Sequence, residues 1–320
     1  DVSLTGNSLD NANGYIDVND LHFDDGTHAP VSISHLRVES QRQELPYTLS
    51  VDSEIIKAGV QGDFAPSGLP DSFKSLAARF MPDLVMPYIH NSGHSDRPQS
   101  FTFSILLPKD SPLADRVKLP VSLLEDLELS GSYDSASGQA ALDMDVPYLR
   151  QGRSKLVRDT RLALRVDTAA NLCNLSFTTR IPNNKGDITL MLDANAANDR
   201  VQTDVSWSFD RKKAYRGLVS LTASFPRCEE SARRDVAVNV NHSRFEVNDT
   251  VWNVSPGRIM YQDKSVLVDS VRVGRPGQFV LVNGSATASP DDKILVDLRD
   301  IDLDYVFETL NINYVTFGGR

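Results

Sequence analysis

Nowhere does the chain approach the roughly 20 consecutive apolar residues that a membrane-spanning helix requires, and no signal peptide opens it. It starts at Asp1 and ends at Gly318-Gly319-Arg320, a glycine turn that leads toward another strand, which reads as an excised fragment of a longer protein. Basic charge is scarce: 33 Lys and Arg against 43 Asp and Glu leave a net charge of −10. Nucleic acid or an anionic membrane surface is therefore not the expected main partner. The two cysteines, Cys173 and Cys228, lie far apart in sequence. Cys173 shares a strand face with Leu175 and Phe177 and reads as a small buried hydrophobe. Pairing would need the two Cα atoms within about 7 Å, which the sequence leaves open.

Catalytic motifs are also missing. There is no G-x-S-x-G, no Walker loop and no dinucleotide fingerprint, so neither enzymatic activity nor a cofactor is expected. His90 and His94 have metal-like spacing with Asp96 nearby, but zinc needs three or four ligands of fixed geometry. The Asp17–His22 stretch starts like a calcium loop, yet Leu21 stands at a ligand position and the later glutamate is lacking. Asp143 and Asp145 share a strand face about 7 Å apart, a separation that would suit a glycosidase pair. Leu142, Met144 and Val146 alternate with them, so the wet face of an ordinary strand explains them more simply. No metal site is expected.

What the chain has in abundance is alternation. Short runs of period two, each closed by a turn, follow one another through most of the sequence. In Ser265–Val273 the apolar set begins as Val266 and Val268 and shifts by one to Val271 and Val273. Gly274–Gly277 turns the chain, Phe279 and Leu281 then share one face, and Val280 and Val282 the other. Ser289–Asp292 turns again before Ile294, Val296 and Leu298. Val31 and Ile33 likewise give way to Leu36 and Val38, which suggests a bulge at Ser34-His35.

Three segments emerge. Residues 1–64 form an N-terminal β unit. Residues 65–127 carry a helix, with Phe73, Leu76, Ala77, Phe80 and Leu84 at helical spacing, capped by Asp71 or Ser72; one strong strand, Phe101–Leu107, follows it. Pro82 and Pro87 interrupt the helix, and its stripe should pack on the neighbouring sheet. Val121–Leu127 reads as a short helical turn. Residues 128–320 read as continuous strands, with one more amphipathic helix from Asp302 to Asn311.

Consecutive strands with short links make an antiparallel meander. The expected fold is all-β, a long meander curled into an elongated U-shaped groove with one or two short helices. A sandwich is the alternative. The candidate groove-lining residues are Leu162, Leu164, Val166, Leu175, Phe177, Leu190, Leu192, Val205, Trp207, Val219, Leu221, Ile294 and Val296. In an average protein each of these would simply be core.

The stretch "WNVSPGRIMYQDKSVLVDSVRV", followed by "FVLVNGSATASPDDKILVDLRDIDLDYVFETL" and "VTFGG", resembles the envelope family of TamB and its AsmA-like relatives. Trp252 and Ile259 in their strand, the mid-strand Gly284, the turn Ser289–Asp292 and the closing Leu303–Leu310 carry the likeness. It covers Val236–Gly319 and fades upstream. The resemblance implies a U-shaped β-groove in a periplasmic bridge anchored in the inner membrane. Such a segment is non-enzymatic and conducts phospholipids by shielding their acyl chains. It also implies a second role, cooperation with an outer-membrane β-barrel partner in protein assembly or secretion. The rival from another class is a carbohydrate-binding or structural β-sandwich module, and the two tryptophans, both among apolar strand neighbours, speak against a stacked aromatic platform.

Overall fold

The structure, a computed structural model, describes residues 1–24, 26, 30–85, 98–113, 122–151, 155–182, 186–209, 215–225, 235–247, 249–287, 289 and 291–301. Period-two alternation builds an all-β, antiparallel meander of 21 strands. Contacts divide the chain into two compact units, Asp1–Asn198 and Asp199–Arg320.

The first unit contains β1 (Val2–Thr5), β2 (Asn13–Phe23), β3 (Val31–Gln41), β4 (Tyr47–Ser53) and β5 (Lys57–Asp63). A 3-10 turn (Pro66–Gly68), α1 (Leu69–Phe80) and α2 (Pro82–Val85) follow. Then come β6 (Ser100–Leu107), β7 (Ser122–Leu123), β8 (Leu127–Asp134), β9 (Gln139–Gln151), β10 (Lys155–Asp167), β11 (Leu172–Ile181) and β12 (Ile188–Ala197). The helical excursion does not break the ladder, because β6 returns beside β5 and then pairs with β8.

The second unit contains β13 (Arg200–Phe209), β14 (Tyr215–Ser224), β15 (Val236–Val240), β16 (Ser243–Val247), β17 (Thr250–Ser255), β18 (Gly257–Gln262), β19 (Ser265–Arg275), β20 (Gln278–Ala286) and β21 (Ile294–Arg299). Here β15 and β16 are one interrupted strand, since both lie along β14. Similarly β17 and β18, parted by Pro256, lie in one register against β16 and β15. Proline supplies no N–H to the ladder, which is why the strand breaks there without changing course.

The apolar phase shift in β19 is a β-bulge. Register slips between Val268 and Val271 while Ser270 adopts φ 56°. In β3 the phase change has another cause than the expected bulge. The ladder to β2 keeps its register from Val31 to Ser40, with Asp20 at φ 55° opposite the irregularity. The Glu54 carboxylate accepts the amide protons of Ser34 and His35 there, and these bonds hold its pKa below the ordinary carboxylate value. Two further expectations are corrected. Ser122-Leu123 forms a strand against Leu149-Arg150 rather than a helical turn. α1 begins at Leu69 after Gly68, with no side-chain cap; the Ser72 hydroxyl donates back to Gly68 O instead, at 3.0 Å. The segments with His90, His94 and Asp96, with Cys228, and with the helix expected from Asp302 lie outside the described residues.

Candidate functional site

Pairing registers show what the alternation assembles. In the first unit one row of side chains crosses the strands without a polar interruption. It runs Val2, Ile16, Val38, Val51, Ala58, Ile105, Leu129, Met144, Leu162, Phe177, Leu192. Beside it Leu49, Val60, Phe103, Gly131, Leu142, Leu164, Leu175 and Ala194 form a second row. Side chains in one cross-strand row lie about 5 Å apart, so the two rows make a continuous apolar face. Leu190 adjoins it opposite Thr179, whose hydroxyl lies 2.8 Å from that of Thr160; this buried pair satisfies itself. Cys173 sits opposite Val166 at the margin, half-buried, and burial pushes its thiol pKa up.

The opposite face is charged. Arg161 holds Asp145 at 2.9 Å and Arg165 holds Asp143 at 2.6 Å, both across the β9–β10 pair. Arg180–Asp159 and Arg37–Glu39, each at 3.0 Å, continue the pattern. The two aspartates are thus the carboxylate half of an exposed cross-strand ladder, and four-residue spacing of Arg161 and Arg165 was the signal that sequence reading passed over. Asp17 faces His35 and Arg37. Among the described residues no group of three or more His, Cys, Asp or Glu could hold a metal.

Little covers the apolar face. Leu162, Leu164, Leu175, Phe177, Leu190 and Leu192 are all half-buried, and Val166 alone of the candidates is buried. Coverage is local. At one margin α1 lays Leu69 and Leu76 against Phe64, Phe101 and Tyr133, with Phe73 5.8 Å from the Tyr133 ring. At the other, Leu123 closes on Val146 and Leu149. Among the described residues, no other core cluster lies on the face between these two.

In the second unit the apolar row is Val201, Ala223, Val238, Ile259, Val268, Gly284, Ile294. Val205 faces Val219, and Leu221 faces Val240; Val205, Val219 and Leu221 are half-buried. Ile294 and Val296 share this face but are 39% and 57% exposed, because β21 pairs only with β20 among the described residues. Trp207 belongs to an aromatic row, Trp207–Gly217–Phe245–Trp252. Its ring lies over Gly217, where a Cβ would come within 2.4 Å of the indole.

An analogous row exists in the first unit: Tyr47–Gly62–Phe101–Tyr133. Each ends in an arginine stacked on the terminal ring. Arg42 lies 5.2 Å over Tyr47, and Arg275 lies 5.7 Å over Trp252. Neither the glycines nor the arginines of these rows drew notice in the sequence, because the partners are distant along the chain. The chain matches no family model, no curated protein and no solved structure.

Proposed function

We propose that the open apolar face is a groove that holds the acyl chains of phospholipids, making the chain a non-enzymatic segment of a lipid-conducting bridge. One observation carries this reading: an eleven-residue row from Val2 to Leu192, every member apolar, that no other layer among the described residues covers between its two local clusters. Water against such a face is costly. Each methylene sheltered is worth ~0.8 kcal/mol, so an acyl chain of about 14 methylenes gains on the order of 10 kcal/mol. Because the row runs across the strands, a chain lying along it meets similar apolar surface from one strand to the next and has no deep pocket to leave. The charged ladder on the opposite face keeps that side in water. The resemblance to the TamB and AsmA-like envelope family supports the same reading and suggests a periplasmic setting and an outer-membrane β-barrel partner. No helix among the described residues is long and apolar enough to cross a membrane.

Mass spectrometry of lipid co-purifying with the whole chain tests this. Phospholipid should be recovered, and Leu162→Asp combined with Leu192→Asp should lower its yield at least severalfold while the fold persists. A protein free of lipid, which also fails to protect a fluorescent-acyl phospholipid from water, would overturn the proposal.

A further inference from the structure

The half-buried aromatic row of the second unit has features that a plain acyl-chain surface does not need. Trp207 and Phe245 approach to 5.6 Å between ring centroids, and Phe245 stacks on Trp252 at 6.4 Å with 4° between planes. Phe209 and Tyr215 extend the aromatic surface one row further, 5.4 Å apart. Amphipathic rings of this kind favour the level where apolar matter meets water. At the end of the row stands Arg275. Its Nε donates to Gln278 Oε1 at 2.6 Å, which orients the guanidinium, and its two Nη groups make no hydrogen bond among the described residues. Arg275 has no ion-pair partner among the described residues, on a chain with net charge −10.

The first unit shows what the same grammar looks like when it is only structure. Arg42 is enclosed there: its Nη1 donates to Phe64 O at 2.8 Å, its plane lies 4.1 Å over the Phe64 ring, and its Nε and Nη2 are shut away from solvent. Arg275 has the aromatic row but no covering helix among the described residues, and stays half-exposed.

Resting on the reading of the apolar face as a lipid groove, we propose that Arg275 and the Trp207–Phe245–Trp252 row form a headgroup-level site for an anionic phospholipid. The lipid phosphate takes the Nη edge of the guanidinium and the glycerol and first methylenes lie on the rings. A planar guanidinium matches two phosphate oxygens at once, and orientation by Gln278 removes part of the entropy such a contact normally costs. The two tryptophans of the row are the only ones in the chain, so its occupancy can be read from intrinsic fluorescence.

The test titrates the whole chain with phosphatidylglycerol bearing brominated acyl chains, which quench tryptophan on contact, and with the equivalent brominated diacylglycerol lacking phosphate. Both should quench, the phosphatidylglycerol with a half-saturation roughly tenfold lower. Arg275→Gln should erase that difference and leave diacylglycerol unchanged, while Arg275→Lys, which keeps the charge but loses the planar fork, should retain only part of it. Equal half-saturation for the two lipids, or no effect of Arg275→Gln, would overturn the site and leave the groove intact. Displacement of phosphatidylglycerol by inorganic phosphate at equal concentration would overturn it too, in favour of a free-anion site. Failure of tryptophan to quench while phospholipid still co-purifies would place lipid elsewhere and reject this site alone; absence of lipid by both measures would reject site and groove together.

Discussion

The two aromatic rows differ in one thing above all: whether something lies on them. Tyr47–Gly62–Phe101–Tyr133 sits under α1, and its central rings are 5% and 6% exposed. Trp207–Gly217–Phe245–Trp252 has no helix on it among the described residues, and all of its rings stay half-buried. Both rows contain a glycine: Gly217 lets the Trp207 ring lie across the strand, and at Gly62 the backbone of Ser100 and Phe101 approaches instead. The same local chemistry therefore becomes core in one unit and surface in the other. An apolar strand face says nothing by itself about burial; the covering layer decides.

That difference makes unequal mutational costs the sharpest way to break the comparison. Phe101→Ala should cost about 3–5 kcal/mol, as expected for emptying a packed aromatic site. Phe245→Ala should cost closer to 1–2 kcal/mol, since the site is already open and mainly ring contacts are lost. Denaturant unfolding of the two variants measures both, and equal costs would mean that the second row is buried as well.

The glycines should separate next. Gly62 sits at φ 148°, where an added Cβ would come within 2.2 Å of Ser100 O. Gly62→Ala should therefore destabilise by roughly 2–3 kcal/mol, because backbone cannot yield. At Gly217 the nearest obstacle is the outer edge of the Trp207 indole. Phe245 Cβ lies as close, at 2.5 Å, but Gly217 carries no positive φ, so Gly217→Ala should cost less than Gly62→Ala and should shift tryptophan emission to the red as the ring is displaced.

The helix can be tested through Tyr133. Burial pushes its phenol pKa up, partly opposed by the hydrogen bond with Ser72. A group whose folded pKa is raised contributes stability fully present below the unfolded value near 10 and lost as pH rises through the folded value. Leu76→Asp, which should lift α1 off the row, is expected to bring the phenol back toward its ordinary pKa in an ultraviolet titration, with Tyr133→Phe identifying the signal. An unchanged titration would mean that α1 is not the cover.

The smallest effect concerns the strap ahead of α1. The Ser67 hydroxyl donates to Asp10 at 2.6 Å and the Ser67 amide at 3.0 Å, holding the Asp10 pKa below its usual value, the hydroxyl contributing most. Stability from a depressed carboxylate is present above its unfolded value near 4 and lost as pH falls through the folded one. Exchange of the Ser67 amide, corrected for its intrinsic pH dependence, should accelerate a fewfold below pH ~4. Asp10→Asn should show the fast rate at every pH.

Much of the fold could be read from period two. Val266, Val268, Val271 and Val273 located the β19 bulge, and Phe279/Leu281 against Val280/Val282 assigned both faces of β20 correctly. The stripe Phe73, Leu76, Phe80 foretold a helix packed on the sheet, and Phe73 and Leu76 do lie against it. What escaped was everything that depends on register between distant strands. Arg42 meets Tyr47 through a turn, but Gly62, Phe101 and Tyr133 join that row from up to about 90 residues away along the chain, and no local pattern announces it. Nor does alternation distinguish Leu162, half-buried on an open face, from Val166, buried near its margin. The phase change in β3 misled for a related reason: the partner strand changes phase with it at Asp20, so register never slips, and Glu54, 20 residues downstream, accepts the Ser34 and His35 amides.

The central claim, that the face between the clusters is open to acyl chains, is tested most directly by site-specific photo-crosslinking with phospholipid in the intact chain. A photoreactive side chain at Leu162 or Leu192 should crosslink to lipid, while one at Phe101, beneath α1, should crosslink only to protein. Lipid adducts absent at Leu162 and Leu192, with protein adducts in their place, would show a covered core and contradict the account.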